Sequence, residues 1–164
     1  MEPATESATP LLDPADPRHA HVAHRLTTEP IVWLTTVGAD GRPHPVPVWF
    51  LFADPDVVIF SRPDTAKVGR LRDRSAVALS LDTAGGGADV LTADGDAALT
   101  GEPPAAETAA FGEKYRPLLG DQDLAGWRSV FAQPVRVRLR RVTAWWPGPD
   151  GLERVVLPGN IGVG

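Results

Sequence analysis

The residues best suited to chemistry lie between Asp40 and Lys67 of the 164-residue chain. Ser61, Arg62, Thr65 and Lys67 fall close together, just after the apolar run Val57-Val58-Ile59-Phe60. Hydroxyls and cations delivered from a strand end to a helix start can bind an anion. The first N–H groups of a helix have no intrahelical partner and carry partial positive charge. Upstream, Val46-Pro47-Val48-Trp49-Phe50 offers a flat apolar surface with outward backbone groups. A ring system with a phosphorylated tail suits both parts. The same residues also admit a plainer arrangement: a Pro-rich hairpin, an ordinary capped helix and a solvated Lys67.

These groups need a scaffold, and the surrounding pattern supplies one. Ile31–Val37 is β-branched and aromatic and reads as a strand, followed by the hairpin signal Asp40-Gly41. His44–Ala53 reads as a second strand whose Pro45 and Pro47 confine it to an edge or bulge. Val57–Ser61 is a third strand. Asp64 or Thr65 caps a helix reaching about Arg74, with Val68 and Leu71 on its inner face. Ser75–Asp82 alternates as a fourth strand. Asp89–Gly101 is a weak fifth strand interrupted at Asp94-Gly95-Asp96, or else a hairpin centred there. Helices are expected from Pro103-Pro104 to about Leu119 and from Asp121 or Asp123 through Phe131. Pro134–Trp146 is a long last strand with an irregularity near Arg141 and Val142, and the tail beyond Pro147 is Gly-rich. Strands joined mostly by hairpins, with few helices, predict an antiparallel barrel flanked by helices.

Composition narrows the functional classes. The net charge of −5 argues against a general nucleic-acid binder. No stretch approaches the length of a membrane span, and the N-terminus lacks the pattern of a secretory signal, so a cytoplasmic protein is expected. The absence of Cys removes disulfides and thiolate metal sites. Residues 1–16 are rich in Pro and acids and read as a disordered tail ahead of a single domain over 17–164. A helix opens at Pro17. It places His21 and His24 on one face, but no nearby acid completes a metal-ligand set, and no metal site is expected. Only Lys67 and Lys114 supply ammonium groups among sixteen Lys and Arg residues.

The run Thr35-Thr36-Val37, Asp40-Gly41-Arg42-Pro43-His44, Val46-Pro47-Val48-Trp49-Phe50, Ser61-Arg62-Pro63-Asp64-Thr65-Ala66-Lys67, Leu71-Arg72 and Val77-Ala78-Leu79 resembles the pyridoxamine-phosphate-oxidase-like split β-barrels. It is most similar to their actinobacterial branch that uses coenzyme F420, a deazaflavin. The resemblance is dense over residues 30–82 and thinner but collinear over 89–146. It implies a mainly β fold, an FMN-binding type of split antiparallel β-barrel with flanking α-helices. It also implies that Phe60, Ser61, Arg62, Thr65, Ala66 and Lys67 hold the cofactor phosphate, with Lys67 the leading cation. Val46, Pro47, Val48 and Trp49 would lie along the ring, and His44 would reach the ring or its ribityl chain. A homodimer with cofactor sites at its interface is implied as well, with Trp145 or Trp146 reaching in from the partner. The C-terminal Arg-containing substrate motif of true pyridoxamine-phosphate oxidases is missing, because Arg136, Arg138 and Arg140 sit on a strand.

No catalytic triad or paired-carboxylate site is visible, so the cofactor would carry the chemistry and no catalytic side chain is assigned. The leading expectation is a coenzyme F420-dependent reductase passing hydride to a planar unsaturated small molecule, with the proton from solvent or His44. Arg62, Lys67, Arg70, Arg72 and Arg74 would form a positive patch for a polyanionic tail. An FMN-dependent oxidase or reductase is the alternative. A non-catalytic flavin, deazaflavin or haem carrier is the third, with His44, His19, His21 or His24 as a haem ligand.

Overall fold

The computed structural model describes residues 8–83 and 85–158. Eight strands pair antiparallel in one sheet. They are β1 (Val32–Val37), β2 (Pro43–Val48), β3 (Phe50–Ala53), β4 (Asp56–Ser61), β5 (Ala76–Leu81), β6 (Val90–Leu99), β7 (Gln133–Gly148) and β8 (Gly151–Leu157). Four helices flank it: α1 (Pro17–Thr28), α2 (Ala66–Asp73), α3 (Ala105–Leu119) and α4 (Leu124–Val130). The strand order is β2-β1-β5-β6-β7-β4-β3, and β8 pairs with β7 off this path.

The two outermost strands of that path, β2 and β3, are consecutive in the chain. The single strand expected over His44–Ala53 is divided at Trp49, where the backbone leaves β1 and joins β4. Pro45 and Pro47 stand on the edge strand β2, where a missing N–H costs no ladder bond. No ladder joins β2 to β3, so the sheet curls without closing. That is the split barrel, mainly β with flanking helices.

Two apolar layers hold it together. Inward residues such as Leu34, Val57, Ile59, Val137 and Val142 fill the barrel. Val58 and Phe60, on the other face of β4, pack outward against Phe111, Tyr115 and Trp127 of α3 and α4. Burial on both faces explains why β4 reads as an unbroken apolar run rather than an alternating one.

Several expectations change. Asp94-Gly95-Asp96 neither ends a strand nor turns a hairpin: β6 runs through it, and the register with β7 shifts between Asp94 and Gly95. Arg141 opposes Asp94 while Leu139 opposes Gly95, so Arg140 is the extra residue of a β-bulge. This matches the irregularity expected close by on the last strand. A Cβ on Gly95 would fall 2.3 Å from the Arg138 carbonyl oxygen. Gly95→Ala is therefore expected to cost about 2 kcal/mol, because backbone must move to admit the methyl. Urea unfolding checks this, and an unchanged midpoint would show that the bulge gives way freely.

Of the expected Gly-rich tail after Pro147, Gly151–Leu157 is a strand, and residues 159–164 lie outside the described residues. Pro149-Asp150 turns the chain, and β8 returns along β7 as far as Leu157, opposite Val142. Of the expected tail, residues 1–7 lie outside the described residues. Residues Leu11 and Leu12, however, pack against the barrel core. Both backbone N–H groups donate to the Asp54 carboxylate, that of Leu12 at 3.1 Å. Two adjacent leucines supply the apolar area that an acidic composition conceals. Among the described residues no helix is long and apolar enough to cross a membrane.

Candidate functional site

Where the chain crosses from β2 to β3, the next backbone, at Phe50, is pinned by α3. The Phe50 N–H donates to the Tyr115 hydroxyl at 2.7 Å. That hydroxyl lies 2.8 Å from the Pro30 carbonyl and 2.9 Å from the Phe50 carbonyl, to one of which it donates. Burial pushes the Tyr115 phenol well above its ordinary range. Lys114 donates to the same Phe50 carbonyl at 2.9 Å and lies 3.7 Å above the Phe50 ring.

The Lys114 ammonium carries a cost. Desolvation lowers its pKa to about 8, with Glu29 opposing. The unfolded chain keeps that proton into the ordinary lysine range, so above about pH 8 the unfolded state binds more protons than the native one. Stability from this group therefore rises with pH. Wild type is expected to gain about 1 kcal/mol over Lys114→Met between about pH 7.5 and 9.5, solvent screening of a partly exposed group having reduced the full effect. Urea midpoints at the two pH values measure it, and equal gains in both proteins would remove Lys114 as the source.

Beside the crossing a cavity of 270 Å³ opens, lined by Ile31, Pro47, Val48, Trp49, Phe60, Lys67, Trp127 and Phe131. Its wall is a column of nearly parallel rings. Tyr115 stacks on Trp49 at 4.5 Å, Trp49 faces Trp127 at 5.2 Å, and Trp127 stacks on Phe131 at 4.3 Å. Phe60 meets Trp127 edge-on. Lys67, in the first turn of α2, is the only cation lining the cavity among the described residues. Partial burial lowers its pKa from the ordinary lysine range, and no ion pair among the described residues compensates it.

The structure thus brings together Pro47, Val48, Trp49, Phe60 and Lys67. Ser61 and Thr65 stand beside them but turn their hydroxyls inward. Ser61 is buried, its Oγ 3.2 Å from Thr65 Oγ1, and both hydroxyls reach the Arg62 carbonyl. Thr65 is the N-cap of α2, yet its side chain makes no capping hydrogen bond, and among the described residues no other side chain accepts from the first N–H groups of the helix. Those donors remain available to an anion. Arg62 is exposed and paired with Asp64 at 3.4 Å. Val46 packs against the barrel core. His44 lies opposite Thr36 at the far end of β2, its Nε2 over Gly38 in the hairpin turn, and it is not part of the cavity wall. Ala66 lines a separate groove with Arg70 and Arg74 on the other side of α2.

Other groups prove structural. Arg136 and Arg138 pair with buried Asp56, and Arg136 also with Glu107. Arg140 pairs with Asp96. His21 stacks on Trp146 at 4.1 Å and bonds Asp89 at 3.2 Å, and His19 accepts from the Asp13 N–H. Trp146 is therefore packed within its own chain's core. Trp145 keeps the outward position next to it. Sequence reading missed Trp127, Phe131 and Ile31 as lining residues. The four-residue spacing of Trp127 and Phe131, one helical turn, was the available signal.

Fold and site together define a split antiparallel barrel with an aromatic cavity and an uncompensated lysine at a helix start. The pyridoxamine 5'-phosphate oxidase sequence family matches residues 19–142, and the chain belongs to that family. This fold binds flavin-type cofactors. Comparison with curated protein sequences gives no significant match. Among solved structures, the chain is similar to a conserved hypothetical protein from Mycobacterium tuberculosis, with 19% identity over 86% of this chain and 89% of that one and a TM-score of 0.61. It is similar to the haem storage protein HutZ from Vibrio cholerae, with 16% identity, 84% and 93% coverage and a TM-score of 0.59. It is also similar to an F420 reductase, with 21% identity, 71% and 92% coverage and a TM-score of 0.57.

Proposed function

We propose that the protein is a coenzyme F420-dependent reductase acting in the cytoplasm on a planar unsaturated small molecule, and that it works as a homodimer. The observation that carries this reading is the cavity itself. A flat aromatic wall and an uncompensated ammonium at a helix start meet in one site. Those residues fit the two halves of a phosphorylated deazaflavin. A ring needs apolar faces from which water is excluded, and a phosphate needs a cation and free N–H donors.

When bound, the reduced deazaflavin supplies a hydride. The protein's own part is positioning. Lys67 and the first N–H groups of α2 would hold its phosphate. Pro47, Val48 and Trp49 would lie along its ring, and Phe60, Trp127 and Phe131 would complete the apolar lining that excludes water. Arg70 and Arg74, in the neighbouring groove, give an acidic chain the local positive field that a polyanionic tail requires. His44 lies outside the cavity wall, so solvent is the simplest proton source.

FMN is the alternative cofactor, because the phosphate site serves either molecule. A haem carrier has less support, since His19 and His21 are already engaged within the fold. Titrating the purified protein with coenzyme F420 and with FMN, read by flavin or deazaflavin fluorescence, separates these readings. Tight binding of F420 alone supports the reductase, preference for FMN moves the assignment to that cofactor, and binding of neither overturns both. Light scattering tests the dimer.

A further inference from the structure

We propose that Arg128 is a positioning residue that holds α4, and with it the Trp127 and Phe131 wall of the cavity, against Phe60 on β4. The inference deepens the reading above and rests on it for the identity of the ring.

One guanidinium touches three elements. Its central carbon lies 3.8 Å from the centroid of the Phe60 ring. Its Nη2 donates to both carboxylate oxygens of Glu102 at 2.6 and 2.8 Å, in the loop after β6. Its Nη1 donates to the carbonyl of Phe131, the C-cap of α4. The side chain is only 10% exposed although Glu102 is 70% exposed.

Physical reasons make such a brace necessary. α4 has seven residues, too few to persist by backbone bonding alone. Its start is capped by Asp123, whose carboxylate accepts from the Gly126 N–H. Its end carries Phe131, which must stay stacked on Trp127 for the wall to exist. Arg128 supplies the cation that the C-terminal carbonyls favour, and ties them to the back of Phe60. The planar guanidinium lies over a ring while its fork reaches a carboxylate and a carbonyl. A lysine ammonium on a flexible stem does not reproduce that combination.

The test uses Arg128→Lys, Arg128→Met and Glu102→Gln in the full-length protein, with two readouts. Hydrogen exchange is followed at the amides of residues 127–131. Affinity is measured for coenzyme F420 and its phosphate-free ring–ribityl fragment, and for FMN and riboflavin. Both Arg128 variants are expected to speed exchange in α4 at least tenfold while the barrel strands keep their protection. Ring-only and phosphorylated ligands should weaken by the same factor, tenfold or more, leaving the phosphate increment intact. Glu102→Gln should give the same pattern at two- to threefold, since that carboxylate is largely solvated. Wild-type exchange in α4, or unchanged ring affinity once α4 is loosened, would overturn the proposal. So would a loss confined to the phosphorylated ligands. If wild type binds none of the four ligands, the functional reading fails. Exchange at α4 then decides by itself whether Arg128 holds the wall.

Discussion

Replacing Lys67 by Ala is expected to weaken cofactor binding roughly 10- to 100-fold while leaving the fold intact. An ammonium hydrogen-bonded to phosphate contributes about 1.5–3 kcal/mol. Here it acts in a partly dry site where, among the described residues, no other charged side chain lines the cavity. The native protein gains little stability from Lys67, because burial without an ion pair disfavours its charged form. Unfolding should therefore be unchanged, or occur at slightly higher denaturant. The measurement is a fluorescence titration of both proteins at two salt concentrations. Wild-type affinity should fall with salt and that of the variant should do so less. Equal affinity in a folded variant would remove Lys67 from the site, and an equal salt dependence would assign the phosphate to other cations such as Arg70.

The second large effect falls on stability. Tyr115→Ala is expected to cost about 4 kcal/mol, and Tyr115→Phe about 2 kcal/mol. The alanine variant loses a fully buried ring that packs on Trp49 and Phe111. Phenylalanine keeps the ring but strands the Phe50 N–H, whose partner is the lost hydroxyl. For a chain of this size the milder variant should melt about 4–8 °C lower. A melting difference below about 1 °C for Tyr115→Phe would mean that water replaces the hydroxyl at Phe50. Tyr115→Phe separates the hydroxyl from the stack: its Trp49 contact survives, so ring affinity in the folded variant should stay within about threefold of wild type.

Much of the fold could be read from residue patterns because the signals are local. Asp40-Gly41 marks the β1–β2 hairpin, Pro45 and Pro47 mark an edge, and Val68 and Leu71 mark the buried side of α2. The bulge was half visible, in the irregularity near Arg141 and Val142. β8 escaped because Gly151–Leu157 is a short run with Glu153 and Arg154 at its centre and glycines on either side along the chain, and pairing with β7 supplies what so weak a local signal lacks. Arg25 escaped for the opposite reason. It looks like a solvated helical cation, yet it is buried, donating to the carbonyls of Asp82 and Asp89 and paired with Glu29 and Asp89. Glu29 is one helical turn away, but Asp82 and Asp89 lie far along the chain from it.

By itself, the order of residues determined the strand-and-hairpin plan, the edge prolines, the α2 start and the choice of Lys67 as the cation to watch. Each depends on interactions within a few residues, where spacing and chemistry are visible together. Tertiary structure alone decided that the run from His44 to Ala53 breaks at Trp49 and that α4 folds back to lay Trp127 and Phe131 beside Trp49 and Phe60. It also decided that Ser61 and Thr65 spend their hydroxyls on the turn that carries them. A cavity is a relation between surfaces brought together from distant parts of the chain. Its walls follow from how two apolar layers pack around β4, and that packing is settled by the whole fold at once.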